Sequence, residues 1–373
     1  MNPNRLTLPL LGALLASPVA HADDGQYPNV GLDYDATFQY DYTRADRSQP
    51  GGRETLDGYP DINSTFYLRF SRDSQIRFST EINPIDPPNN GEKRFFEDVG
   101  MVINELDYYQ QFDNQAFVVG KYHVPIGRAM DQAPGLYTSD FVDTYDMDGM
   151  LGGTYSYRFF SQSLGNIEPN LSLYTADNSY LGRPYFRHGE MLKKDAGGPA
   201  NTGKLDSYAV MVNWLAIPAI PYLELQAGYA RSREGDAVEG QGEPDDEVIR
   251  LASARYIWAF HGNTLGPTLD RQYMDLVPFI EYADVDNEDA IAGNDTKYLT
   301  TSLTFDWGLW AFGLTRTNKS YSLGNTPDDY LNEFSVVYNI TGQLKLNVSA
   351  GTQKQQGENS NIVGLALTYS GGY

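Results

Sequence analysis

The chain has 373 residues, with 27 lysines and arginines against 49 aspartates and glutamates, so its formal net charge is -22. Such an acidic chain argues against nucleic acid as a partner. Cysteine is absent, so disulfides cannot stabilise the protein, and its stability must come from a large continuous architecture.

The first 22 residues have the pattern of a cleavable export signal. A short basic segment, Met1 to Arg5, precedes the apolar stretch Leu6 to Ala16, and Ala20-His21-Ala22 supplies a small-x-small cleavage site. We therefore expect residues 1–22 to be removed and the mature chain to begin at Asp23. Cleavage removes one basic residue and no acidic one, which leaves 26 against 49 and a charge of -23.

The remaining hydrophobic pattern excludes membrane-spanning helices and favours strands. The longest apolar run after the signal, Trp214 to Leu223, is broken by Pro218 and Pro221 and falls short of the ~18 residues that a spanning helix needs. Near the C-terminus, apolar and aromatic side chains instead alternate with small or polar ones, at Val363, Leu365, Leu367, Tyr369 and Tyr373. Period-two alternation places these side chains on one face of a strand, as expected for a strand between lipid and water.

The same alternation recurs from residue 30 to the C-terminus and predicts an all-β fold. We predict sixteen strands near 30–43, 61–71, 75–83, 98–112, 116–124, 153–160, 168–176, 205–216, 222–232, 247–259, 273–283, 297–305, 308–316, 331–340, 344–353 and 362–373. Short turns alternate with long loops between them, which is typical of a transmembrane antiparallel β-barrel. Residues 23–373 should form this barrel, with both termini on the periplasmic side.

The register at three hairpins is predicted from the requirement that lipid-facing side chains lie on the same face of the sheet before and after each turn. Arg72-Asp73-Ser74, Asp113-Asn114-Gln115 and Thr341-Gly342-Gln343 are interpreted as three-residue turns, because an odd length keeps Phe70 and Ile76, for example, on the lipid face. This register places Asp107 opposite Lys121 and Glu105 opposite His123. It also places Arg69 opposite Arg77, and two like charges facing water require an anion nearby.

The segment predicted to carry function is the third long loop, residues 125–152. It follows Gly120-Lys121-Tyr122-His123-Val124-Pro125-Ile126-Gly127-Arg128 and holds five aspartates against the single base Arg128. With this Gly-Lys-x-x-x-Pro-x-Gly strand end and the sixteen-strand pattern, the mature chain resembles the porins of Gram-negative outer membranes. In that family the third loop folds into the barrel and narrows it.

The resemblance implies a charged constriction between the loop and the barrel wall. The acidic side would be Asp131, Asp140, Asp143, Asp146 and Asp148, and the basic side would be Arg69, Arg77 and Lys121. Such opposed charges produce a transverse field that orients dipolar solutes. An outward loop with solvated aspartates is the alternative for this segment.

The expected function is therefore a water-filled channel for small hydrophilic solutes or ions, because about sixteen strands leave an aqueous lumen. One alternative is a substrate-specific channel for phosphate, an organic acid, a sugar or a chelated metal or siderophore. Another is a non-channel structural or adhesive barrel. Catalysis is not expected, since His123, His188 and His261 show no nucleophile or metal-ligand spacing, and no metal or other cofactor is predicted.

The predicted partners follow from the outer-membrane location. They are outer-membrane lipid, lipopolysaccharide, the barrel-assembly machinery and small hydrophilic solutes. Acidic outer loops near residues 234–247 and 284–295 could bind lipopolysaccharide through divalent cations. The resemblance further implies a homotrimer and a terminal aromatic residue, here Tyr373, that serves as the assembly signal.

Overall fold

Sixteen antiparallel strands form the wall of a closed barrel. The computed structural model describes residues 27–46, 53–186, 191–240, 242–260, 274–322 and 327–373. The strands are β1 Asn29–Ala45, β2 Glu54–Ser71, β3 Ser74–Pro84, β4 Val99–Phe112, β5 Gln115–Val124, β6 Met147–Tyr157, β7 Gly165–Thr175, β8 Ser207–Leu215, β9 Leu223–Ser232, β10 Glu247–Tyr256, β11 Met274–Asp286, β12 Thr296–Trp307, β13 Trp310–Tyr321, β14 Asp329–Asn339, β15 Leu344–Gln355 and β16 Glu358–Gly372.

Three short segments complete this sheet. Phe159–Ser161 continues β6 along β7, and Trp258–Ala259 continues β10 along β11. Lys93–Phe95 pairs in parallel with residues 56–58, near the start of β2. Within the described ranges, no helix is long and apolar enough to cross a membrane.

The barrel closes between its first and last strands. Each strand pairs with its neighbours in chain order, and β1 pairs with β16 from Asp33–Gly372 to Ala45–Ser360. Among the described strands, closure leaves no free sheet edge, so the backbone N–H and C=O groups of the wall bond between strands, as a membrane interior requires. The predicted sixteen-stranded antiparallel barrel is confirmed, whereas the predicted signal segment, residues 1–22, lies outside the described residues.

The two faces of the wall divide as the alternation predicts. In β16, Val363, Leu365, Leu367 and Tyr369 keep 39% to 46% of their surface exposed on the outside. The intervening side chains point inward and are buried. Aromatic residues gather outside at the end of the barrel with the short turns, where Trp310 packs on Tyr338 with ring centroids 4.4 Å apart. Aromatic belts of this kind suit the boundary between lipid and water.

Two of the three predicted hairpin turns are one residue shorter than expected. Ser71 pairs with Ser74 and Phe112 pairs with Gln115, so each turn has two residues. Only the third matches, because Ile340 N donates to Leu344 O at 2.8 Å around Thr341-Gly342-Gln343. Turn length fixes the register of the strands that follow.

The predicted cross-strand pairs are therefore wrong at these two hairpins. Arg69 lies opposite Gln75, and Tyr67 lies opposite Arg77, because the ladder shifts at a bulge before Ser71. On the second hairpin, Asp107 lies opposite Gly120, and Leu106 lies opposite Lys121. That ladder ends at Leu106, so Glu105 and His123 are not paired. Ala116, next to this turn, is fully buried.

The predicted loop 125–152 is six residues too long. Strand β6 begins at Met147, and its ladder with β5 runs through Gly152 and Gly153. Glycines and Asp148 give this stretch the composition of a loop, but its backbone pairs with β5 across a bulge near Tyr122. The connection is therefore residues 125–146, and Asp148 belongs to the wall.

Candidate functional site: the internal loop

Residues 125–146, named here the internal loop, leave the wall after β5 and fold into the barrel. Pro125 cannot donate to the ladder, so the strand ends before it. The loop contains two short helices, α1 Ala129–Gln132 and α2 Thr138–Val142, and a 3₁₀ turn, Asp143–Tyr145. Tyr137, Phe141 and Tyr145 are spaced four residues apart and are buried on one side of the loop.

The opposite side of the loop carries aspartates that are open to water. Asp131, Asp140 and Asp143 are exposed, whereas the neighbouring apolar residues pack into the buried core inside the barrel. This division explains the inward fold, because burial of the apolar stripe stabilises the loop against the wall while its carboxylates stay hydrated. The loop thus presents negative charge to the lumen.

Glu281, on the inner face of β11, holds the start and the end of the internal loop. Its carboxylate accepts hydrogen bonds from Arg128 N at 2.7 Å, from Ala129 N at 3.0 Å and from the Tyr145 hydroxyl at 2.9 Å. The two backbone donors are the N-cap residue and the first residue of α1, at the end of the helix where N–H groups have no partner within the helix. A single buried carboxylate therefore fixes two points of the loop.

Glu333, on β14, holds the middle of the internal loop. It accepts hydrogen bonds from Leu136 N at 2.5 Å and from Tyr137 N and Thr138 Oγ1 at 3.3 Å. Gly135 has a φ of +128° and lies so close to this carboxylate that a Cβ atom would collide with it. The backbone can approach the wall here because glycine has no side chain.

Two further side chains connect the internal loop to other strands. The Tyr137 hydroxyl donates to Asp41 on β1 at 2.8 Å. The buried Arg128 side chain donates to Asn213 on β8 at 3.0 Å and lies 3.4 Å from Glu224 on β9. Because β1, β8, β9, β11 and β14 are spread around the barrel, the internal loop crosses the lumen.

The structure places the predicted aspartates in two groups. Asp131, Asp140 and Asp143 are exposed on the internal loop. Asp146, which is half-buried, and Asp148, at the start of β6, lie beside His123. The carboxylates are thus distributed along the whole loop and its root.

The predicted basic wall is arranged differently from the expectation. Arg77 pairs with Asp107 at 2.9 Å, and Lys121 pairs with Asp177 at 2.8 Å. Arg69 stacks on Tyr67, with its guanidinium carbon 4.7 Å from the ring centre. These bases therefore contact groups other than the loop aspartates. The like-charged pair Arg69–Arg77 does not form.

The remaining predicted residues are held by close partners. Glu105 accepts a hydrogen bond from Ser79 Oγ at 3.1 Å rather than pairing with His123. Asp107 forms a two-point ion pair with Arg77, with N–O distances of 3.0 and 2.9 Å. Both carboxylates therefore belong to a polar network on the inner wall of β3 and β4.

Sequence reasoning missed the wall residues that anchor the loop, namely Glu281, Glu333 and Asp41. The sequence pattern does place these carboxylates at inward positions of strands, next to buried apolar residues such as Phe279 and Leu331. A lone carboxylate in such a place requires donors from elsewhere. The sequence pattern could not show that those donors come from the internal loop.

The enclosed position of the loop changes the acidity of its carboxyls. Partial desolvation and then repulsion by Asp143 raise the pKa of Asp140 to about 7. Desolvation also raises the pKa of Asp143, although nearby Lys319 opposes the shift. The negative charge at Asp140 is therefore sensitive to pH near neutrality.

If the lumen conducts ions, we expect any preference for cations to weaken as the pH falls. A carboxyl with a raised pKa loses its charge when the pH drops through that pKa, so the preference at about pH 8.5 should decrease by about pH 5.5. Reversal potentials across planar bilayers in a salt gradient measure this change. Asp140→Asn should reduce the change in reversal potential between the two pH values. Asp236→Asn, on an exposed outer loop, should leave that change as it is in the wild type. Equal reversal potentials at both pH values would contradict the assignment.

Comparison with known proteins identifies the fold. No family model and no curated protein matches the sequence. Among solved structures, OprB of Pseudomonas putida is similar with a TM-score of 0.63, at 11% identity, over 91% of this chain and 94% of that chain. OmpF of Salmonella typhi, solved with daunomycin, has a TM-score of 0.56 at 11% identity, over 91% and 97%.

A third similar structure is the anion-selective porin of Comamonas acidovorans, with a TM-score of 0.52 at 11% identity, over 92% of this chain and 99% of that chain. Identities this low show a shared fold alone. The chain therefore has the closed sixteen-stranded fold of bacterial porins.

Proposed function

We propose that this chain forms a water-filled channel for passive diffusion of small hydrophilic solutes or ions, with a preference for cations. The observation that carries the proposal is the internal loop, which crosses the barrel and turns Asp131, Asp140 and Asp143 toward water. A barrel of about sixteen strands leaves a lumen that side chains of the wall cannot fill. The internal loop narrows that lumen.

The charge of the loop supports cation preference. Two unit charges 4 Å apart interact by about 1 kcal/mol in bulk water and by about 4 kcal/mol near a protein surface, so a few unpaired carboxylates bias ion entry. Two wall bases that could offset them are paired with other carboxylates, Arg77 with Asp107 and Lys319 with Glu288 at 3.1 Å. The described residues of the internal loop thus present mainly anionic groups to the lumen.

A channel specific for phosphate or another anion is less well supported. Such a channel needs a series of inward bases that are available to the solute. Instead, Arg128 and Arg255 both lie 3.4 Å from Glu224, so their charges are partly neutralised by the wall. The same contacts give no support to an anion-selective constriction.

Location and partners follow from the proposed channel. We propose export by the segment 1–22, insertion in the bacterial outer membrane, contact with lipopolysaccharide and assembly as a homotrimer. Tyr373 is proposed as the assembly signal recognised by the barrel-assembly machinery. It is exposed, and its backbone N and O atoms bond to Leu32 at 2.9 and 3.1 Å, which joins the end of the chain to β1.

Liposome swelling tests the proposed diffusion. Purified protein in vesicles should admit small neutral sugars at rates that fall steeply with solute size, since the internal loop leaves a narrow lumen. Vesicles that contain heat-denatured protein are the matched control. Equal swelling rates with and without the folded barrel would exclude passive diffusion and favour a structural or adhesive role.

Deletion of Tyr373 is expected to impair assembly more than conductance. The deletion removes two backbone hydrogen bonds to Leu32 together with the exposed aromatic ring. We expect a several-fold loss of heat-modifiable, membrane-inserted protein, and unchanged unit conductance in the molecules that do insert. Tyr373→Phe keeps both backbone bonds and the ring, so it should assemble normally. Normal insertion of the deletion variant would contradict the assembly role.

A further inference from the structure

An imidazole and two carboxylates converge at the root of the internal loop. His123 near the end of β5, Asp146 at the end of the loop and Asp148 at the start of β6 bring one ligand atom each within 4.8 Å of one another. They are 23 and 25 positions apart, so no short metal-binding motif could reveal them. The β5–β6 ladder has a bulge between Tyr122 and Val124, and this bulge brings His123 close to the start of β6.

The two nitrogens of His123 have different surroundings. Nδ1 donates to the carboxylate of Asp148, while Nε2 lies 3.5 Å from Asp146 Oδ1. A distance of 3.5 Å is long for a hydrogen bond. Two ligand atoms that are each about 2.1 Å from a tetrahedral zinc ion are about 3.4 Å apart, so the observed spacing fits a shared metal ion.

We infer that His123 Nε2 and Asp146 bind a divalent first-row transition-metal ion, with Asp148 holding the imidazole in place. A carboxylate that accepts the other ring N–H is the usual way in which a metal-bound histidine is oriented. The imidazole nitrogen favours zinc-like ions over calcium or magnesium, which prefer oxygen ligands alone. This arrangement differs from the sequence expectation, which included no metal.

The site has room for the ion and its remaining ligands. A cavity of about 120 Å³ adjoins the cluster and is also lined by Asp131, Gly127 and Met130. Asp148 and Asp131 are exposed, so a hydrated ion can enter from the lumen. Asp131 or water can fill the positions that His123 and Asp146 leave open. The three carboxylates outnumber the imidazole, which gives the cavity the charge that suits a cation.

Metal binding would change the proposed channel, and this consequence rests on the proposed function. An ion of charge +2 at the root of the internal loop would offset the charge of the neighbouring aspartates and oppose the entry of other cations. We expect micromolar zinc to reduce cation conductance. Binding itself can be measured without any channel activity, so the two claims can fail separately.

Isothermal titration of the metal-free, folded barrel in detergent with zinc chloride tests the site directly. We expect one ion per chain and an affinity reduced about tenfold or more in His123→Gln and in Asp146→Asn. Asp148→Asn should weaken binding less, because its amide oxygen can still accept from Nδ1–H. Asp143→Asn, an equal charge change on the same loop, is the matched control and should bind zinc as the wild type does.

Cobalt provides a second readout that a purely structural role of His123 would not produce. Cobalt bound by nitrogen and oxygen ligands should give visible absorption bands that disappear in His123→Gln. Heat-modifiable mobility on gels confirms that each variant is folded. Zinc binding that is absent, or equal in wild type and His123→Gln, would overturn the inference and leave a histidine that only pairs with carboxylates. Binding without any conductance would instead overturn the channel.

Discussion

Replacing Glu281 with leucine is expected to release the internal loop and raise single-channel conductance. The substitution removes the acceptor of three hydrogen bonds, from Arg128 N, Ala129 N and the Tyr145 hydroxyl. Hydrogen bonds to charged groups contribute about 1.5–3 kcal/mol each, and buried donors without an acceptor carry a further desolvation cost. The loop should therefore leave its position, with conductance rising roughly twofold as the lumen widens. Planar-bilayer recordings measure both the conductance and its noise.

Glu81→Leu is the control for this effect. Glu81 is a carboxylate of β3 whose partners are Asn83 and Asn104, so it does not hold the internal loop. It should leave unit conductance close to the wild-type value. The double variant Glu281→Leu/Glu333→Leu should exceed either single variant, because Glu333 holds the middle of the loop independently. A wild-type conductance in that double variant would show that the loop does not narrow the channel.

Neutralising the exposed loop aspartates is expected to remove most of the cation preference. Asp131→Asn, Asp140→Asn and Asp143→Asn together delete three charges that face the lumen while keeping side-chain size. If these charges contribute about 1 kcal/mol to the entry of a cation over an anion, their loss lowers the permeability ratio about fivefold. The reversal potential in a potassium chloride gradient reports this ratio.

An equal charge change on the outside of the protein is the appropriate comparison. Asp236→Asn, Glu239→Gln and Glu243→Gln neutralise three exposed groups of an outer acidic loop. Because exposed charges are screened over about 10 Å at an ionic strength of 0.1 M, this variant should change the reversal potential little. If the two triple variants behave alike, the selectivity depends on overall charge rather than on the internal loop.

The fold could be predicted from the sequence because a membrane wall imposes a simple pattern. Every second side chain must suit lipid, so Val363, Leu365 and Leu367 reveal both the strand and its outer face. The pairing register of the strands depended on a finer detail, the exact length of each turn. The turn at Asp113–Asn114 has two residues instead of three, and that one residue changes the partner of Lys121 from Asp107 to Leu106.

The site was harder to predict because its contacts join distant parts of the chain. The aspartates of the internal loop were visible in the sequence as a cluster of like charges. Glu281 lies 153 positions from Arg128, and Glu333 lies 197 positions from Leu136, so no local pattern connects them. Glycines in residues 149–153 also disguised the start of β6, and this obscured the meeting of His123 with Asp148.

Single-channel recording of the purified protein in planar bilayers tests the central claim most directly. A barrel narrowed by the internal loop should give discrete conductance steps. In a salt gradient, the sign of the reversal potential should show that cations permeate more readily than anions. Glu281→Leu should enlarge the steps, and the triple loop variant should move the reversal potential toward zero. Folded, inserted protein that shows no conductance steps would contradict the account.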